Sequence, residues 1–70
     1  MRLSARNQLQ GTVIEVHEGE VTTTVKVRLN GGETMTSSIT KEAAIELGLG
    51  PDKSVLLVVK ASDVMIAVTD

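Results

Sequence analysis

The sequence predicts a mainly β fold: five short strands with a single helix between the third and the fourth. Three observations carry this. Residues 20–29, EVTTTVKVRL, alternate apolar and polar side chains as a half-buried antiparallel strand does. NGG at 30–32 is a strong hairpin signal between that run and the next. Only behind Thr40 does the spacing turn helical, in KEAAIEL at 41–47, with Thr40 as a helix cap and Glu42 in the first turn.

The elements follow in order. LQGTVIEVH at 9–17 is rich in β-branched residues and forms the first strand, and EGE at 18–20 turns the chain back. The second strand places Val21, Thr23, Val25, Val27 and Leu29 on one face and Glu20, Thr22, Thr24, Lys26 and Arg28 on the other. ETMTSSI at 33–39 completes a three-stranded meander. The helix is short, about two turns, and Gly48 offers its left-handed stop. GPDK at 50–53 then leads into SVLLVVK at 54–60, and ASD separates that strand from the last, VMIAV at 64–68. Met35 and Met65 occupy strand positions and are expected to fill gaps in the core. The order is that of the five-stranded OB barrel, an OB-like barrel with one short helix between strands 3 and 4, with a partly open sheet as the alternative. Residues 1–70 contain no linker, repeat or low-complexity segment and read as a single domain.

Composition limits what such a barrel can do alone. Seventy residues support one marginal core. There is no Cys for a disulfide or a thiolate metal site, and no Phe, Trp or Tyr, so Val, Ile, Leu, Ala and Met supply all the apolar burial. The remaining sources of stability are a bound ligand and oligomerisation, and subunits are expected to share a core. No apolar leader segment accompanies Arg2, Ser4, Arg6 and Asn7, and the longest apolar run, VLLVV at 55–59, is too short to cross a bilayer. A soluble, cytoplasmic protein with no membrane partner is expected. A net charge of -2, a pI near 5.2 and the lack of aromatic platforms argue against a nucleic-acid partner.

Three polar clusters remain. SARN at 4–7 can be a solvated lead-in, KAS at 60–62 a snorkelling Lys beside a turn Ser, and SSIT at 37–40 a strand ending in a helix cap. Taken together they also describe an oxyanion site. A tetrahedral dianion needs converging donors and little else: Arg6 and Lys60 offset its charge, Ser4, Ser62 and Thr40 donate hydroxyl protons, and the first-turn N–H groups near Thr40 add a partial positive end. No catalytic nucleophile is needed. Glu18, Glu20, Asp63 and Asp70 show no pairing suited to acid–base catalysis, and His17, with no Cys and no second His, completes no transition-metal site. The protein is not expected to be an enzyme.

At these residues the chain resembles the molbindin or Mop family, whose TOBE/Mop-type domain also occurs in molybdate-responsive transcription regulators and molybdate transporter ATPases. The resemblance runs through SARNQLQGTV at the start, IT at 39–40, LGL at 47–49 and VVKASDVMIAV at 58–68. It implies a small OB-like barrel that assembles as a homohexamer, a trimer of dimers, and binds molybdate or tungstate at subunit interfaces without an organic cofactor. Carried over residue by residue, Ser4 and Arg6 with the backbone N–H groups around Ala5 come from one subunit, and Thr40, Lys60 and the N–H of Ala61 from its neighbour. Related domains can carry a Ser three positions after the matching Thr; here that position is Ala43, so a hydroxyl donor is lost and Ser62 is the neighbouring group that can substitute. The family also has sites near the threefold axis, to which no residues of this sequence are assigned.

The function so implied is intracellular binding, storage or buffering of molybdate and tungstate for molybdenum-cofactor synthesis. The alternatives are a ligand-sensing module that passes occupancy to a protein partner, and an OB-type nucleic-acid binder, which the acidic balance disfavours.

Overall fold

In the computed structural model, which describes residues 1–70, strands β1 (Asn7–Glu18), β2 (Thr22–Leu29), β3 (Thr34–Thr40) and β4 (Ser54–Val59) form one antiparallel sheet in the order β3-β2-β1-β4. Helix α1 (Lys41–Glu46) links β3 to β4. The alternation in β2 turns Thr23, Val25 and Val27 inward, and Lys26 and Arg28 outward, as the pleat requires.

β1 is long enough to hold two neighbours. Gly11–Glu18 pair with β2, and Asn7–Thr12 pair with β4. Within the β1–β2 pairing the register slips: Val13 faces Val27 but Glu15 faces Lys26, which leaves Ile14 as a bulge. The extra residue bends the strand and curls the sheet. It also frees the backbone of Val13 for the loop before β4, where Asp52 N–H donates to the Val13 carbonyl (2.8 Å) and Val13 N–H donates to the Lys53 carbonyl (2.9 Å). Gly11 lies where both pairings overlap, facing Leu29 and Val55. A Cβ there would come within 2.6 Å of the Arg28 carbonyl oxygen and of Val27 Cγ1, so the close approach of β2 depends on glycine.

The local stops fall where expected. Gly32, φ +99°, turns the β2–β3 hairpin, and Gly48, φ +62°, ends the helix while Leu49 N–H donates to the Ala44 carbonyl at 3.1 Å.

Only six of 70 residues are buried. Val13, Val25 and Val27 form the centre, and Val16, Leu29, Ile39, Leu49, Val55 and Leu57 pack around it half-covered. Thr23 is fully buried beside them, and its Oγ1 has no hydrogen-bond partner. Val21, expected on the same inner face, lies ahead of β2 and is exposed. Its carbonyl accepts from Lys41 N–H instead, at 3.2 Å.

The expected fifth strand is absent, so the barrel is not closed by five strands of one chain. VMIAV at 64–68 follows a 3-10 turn, Ala61–Asp63, closed by Asp63 N–H to the Lys60 carbonyl (2.9 Å) and Val64 N–H to the Ala61 carbonyl (3.3 Å). Beyond it Met65, Ile66 and Val68 are 94, 86 and 78 % exposed, so Met65 does not fill the core. The reason is one of partners, since a strand needs an edge to bond to. The sheet's free edges are β3 and β4, and an open apolar groove lies between them, lined by Met35, Ile39, Val55, Leu57 and Val59. The tail of the same chain lines none of it.

Candidate functional site

The antiparallel pairing of β1 with β4 ends at Asn7 opposite Val59. One residue further out are Arg6 on one strand and Lys60 on the other, so two of the three polar clusters meet at one end of the sheet. Both side chains are exposed. Neither has a carboxylate partner: the one ion pair of the molecule joins Lys26 Nζ to Glu15 Oε2 at 3.6 Å, on the outer face of β1 and β2.

Backbone donors accompany the two cations. The N–H groups of Ala5, Arg6, Ala61 and Ser62 make no hydrogen bond within the chain. Ala61 and Ser62 open the 3-10 turn, whose internal bonds use only the N–H groups of Asp63 and Val64, so their own point to no acceptor of the chain. The hydroxyls of Ser4 and Ser62 are exposed and equally free. This end of the molecule is thus a surplus of donors and positive charge, which suits an anion with several acceptor oxygens.

Thr40 is elsewhere. It ends β3 opposite Thr22, at the end of the sheet where Glu18 of β1 meets Thr23 of β2, far along β1 from Asn7. Its Oγ1 accepts from Ala43 N–H at 3.1 Å, the expected helix cap. The lone pair is engaged and the hydroxyl proton is not, so capping leaves Thr40 able to donate. Of the first-turn N–H groups, Lys41 donates to the Val21 carbonyl and Ala43 to Thr40, and only that of Glu42 remains without a bond. One copy of the chain therefore places Lys60, with Ala61 and Ser62 next to it in sequence, at the strand end where Arg6 follows Ser4 and Ala5, whereas the expected split put Lys60 and Ala61 on the neighbouring subunit with Thr40; Thr40 alone lies at the other end.

His17 lies on the outer face opposite Thr24, and no group of three His, Asp or Glu side chains is placed to hold a metal cation. No helix is long and apolar enough to cross a membrane. Sequence reasoning assigned no role to Asn7, the inner neighbour of Arg6. Its Nδ2 donates to the Val59 carbonyl at 3.2 Å, half-buried, one of only two side-chain hydrogen bonds in the chain. The sequence offered no signal for it, because the first strand was expected from Leu9 and β1 begins at Asn7.

Residues 3–66 match the model of the TOBE domain. The "Probable molybdenum-pterin-binding protein" of Haemophilus influenzae is 37% identical over 68 residues, which cover 97% of this chain and 99% of that protein. Among solved structures, MopII from Clostridium pasteurianum in an apo form superposes with a TM-score of 0.90 at 40% identity, covering 96% of this chain and all of that one. ModG, described as a cytoplasmic molybdate-binding protein and solved with molybdate bound, superposes with a TM-score of 0.90 at 51% identity; the match takes in 93% of this chain and 46% of ModG.

Proposed function

This chain belongs to the TOBE-domain family, as one of its Mop proteins, and from that premise we propose that it binds molybdate and tungstate and buffers or stores them inside the cell. The observation that carries the reading is the meeting of Arg6 and Lys60, without any acidic partner, beside the unused N–H groups of Ala61 and Ser62. A tetrahedral dianion supplies what this end of the sheet lacks: two negative charges and acceptor oxygens in several directions. The ligand arrives as an oxyanion, held by hydrogen bonds and charge, with no organic cofactor and no reaction on it. Molybdate in the ModG structure and the molybdenum-pterin-binding names of the relatives support the same choice.

The complete site draws on more than one copy. Thr40 of a second chain is the donor that a single chain does not bring to Arg6, and Ser62 offsets the hydroxyl missing at Ala43. The apolar tail at 64–68 and the open groove between β3 and β4 support the same arrangement, in which the tail of one copy enters the groove of another as its missing strand. A homohexamer built as a trimer of dimers covers both.

Calorimetry with molybdate, tungstate and sulfate tests the ligand. Molybdate and tungstate are expected to bind with clear preference over the smaller sulfate, because a fixed ring of donors is set for one radius. Equal affinity for sulfate would reduce the site to a general anion patch. Analytical ultracentrifugation tests the assembly, and a stable monomer at micromolar concentration would contradict it.

A further inference from the structure

Arg6 and Lys60 lie at the frayed end of a two-strand ladder, each one residue beyond its last rung. That placement has a cost. Like charges at the ends of neighbouring strands repel, and neither Arg6 nor Lys60 makes an ion pair to offset it, not even with Asp63 of the following turn. Strand ends also open first. Left alone, this end of β1 and β4 should splay and separate the cations that an anion would need together.

One contact opposes the splaying. Asn7 Nδ2 reaches across the last rung to the Val59 carbonyl, 3.2 Å away and partly shielded from water. It adds a bond between the strands beyond those of the backbone, at the position directly inside Arg6 and Lys60. Asn7 itself is half-buried while both cations are exposed, so its amide is held from bulk water and aimed at the opposite strand. The hydroxyls and the backbone donors of 60–62 have no such tie to β1.

We propose that Asn7 is a positioning residue of the oxyanion site, clamping β1 to β4 so that Arg6 and Lys60 are held at one spacing before the anion arrives. This rests on the binding function proposed above. Asn7 touches no ligand; it acts through the two cations, by keeping the ordering of the strand end out of the cost of binding.

The test combines anion titration with amide hydrogen exchange on the full chain. With molybdate as probe, Asn7→Ala should weaken binding about two- to tenfold, the equivalent of one neutral hydrogen bond. Asn7→Gln, which keeps a carboxamide donor, should recover part of the loss. In the Arg6→Ala background, Asn7→Ala should cost little more, because the pair it positions is already broken. Without any anion present, Asn7→Ala should speed exchange at Val59, the last residue of β4, while leaving Val25 and Val27 protected. Parent-like affinity in Asn7→Ala, or an equal loss with and without Arg6, would overturn the proposal, the second by showing a general structural effect. Should the parent itself fail to bind molybdate, the function proposed above falls, and with it the role in binding. A parent that binds beside an Asn7→Ala that binds equally well removes the clamp alone.

Discussion

The two flanks of the sheet are finished differently. On the β2 side of β1, Val13, Val25 and Val27 are almost wholly covered, α1 closes the end with Ala44 buried, and Gly11 lets the strands draw close. On the β4 side, Val55, Leu57 and Val59 are only half-covered, Val64 is half exposed, and Met65, Ile66 and Val68 are largely exposed. The residues of the candidate site, Thr40 apart, sit at the end of the unfinished flank. The closed flank accounts for folding. The open flank holds both uncovered apolar surface and the unpaired donors of Arg6 and Lys60, so under the proposed function assembly and binding would share one region.

The largest expected effect breaks that sharing directly. Deleting residues 64–70 should leave the closed flank folded but abolish the hexamer, read as smaller species in ultracentrifugation and loss of the concentration dependence of the thermal midpoint. An assembly of unchanged size would show that something other than the tail covers the groove.

Next in size are substitutions that act on the anion alone. Arg6→Ala and Lys60→Ala should each lose roughly 1.5–3 kcal/mol of molybdate binding, about one to two decades in affinity, and the double variant should lose less than the sum. Arg28→Ala and Lys26→Ala, on the outer face of β2, should leave binding unchanged, which calorimetry on the same day resolves. Parent-like binding by Arg6→Ala in an intact hexamer would move the site away from the open flank.

Within the closed flank the effects should fall on stability and not on affinity. Gly11→Ala forces a Cβ against the Arg28 carbonyl and Val27, and should lower stability by about 1–3 kcal/mol in urea unfolding. The smallest effect has the opposite sign. Thr23→Val removes a buried hydroxyl that bonds to nothing and keeps the shape of the side chain, so it should raise stability by about 1 kcal/mol. A loss at Thr23→Val would reveal a partner for that hydroxyl in the assembled protein.

Much of this was legible in the sequence because the signals are local. The alternation of 20–29, the hairpin at 30–32, the cap at Thr40 and the stop at Gly48 each depend on a few neighbouring residues, and each formed as expected except at Val21, which lies ahead of β2. The list of expected site residues came from resemblance and donor chemistry, and neither of these gave their grouping. That Arg6 and Lys60 share a strand end follows from the pairing of Asn7 with Val59, residues far apart in the chain. The bulge at Ile14 and the close approach at Gly11 also escaped, since both are properties of two strands in register.

VMIAV shows where the division lies. Its composition made it apolar and in need of a partner, and that much the sequence determined by itself. Whether the partner is the same chain was decided by tertiary structure: the turn at Ala61–Asp63 sends the segment away from the edges of β3 and β4, and an extended segment without an edge has no backbone bonds to make it a strand. Propensity belongs to residues, and pairing belongs to the arrangement of chains.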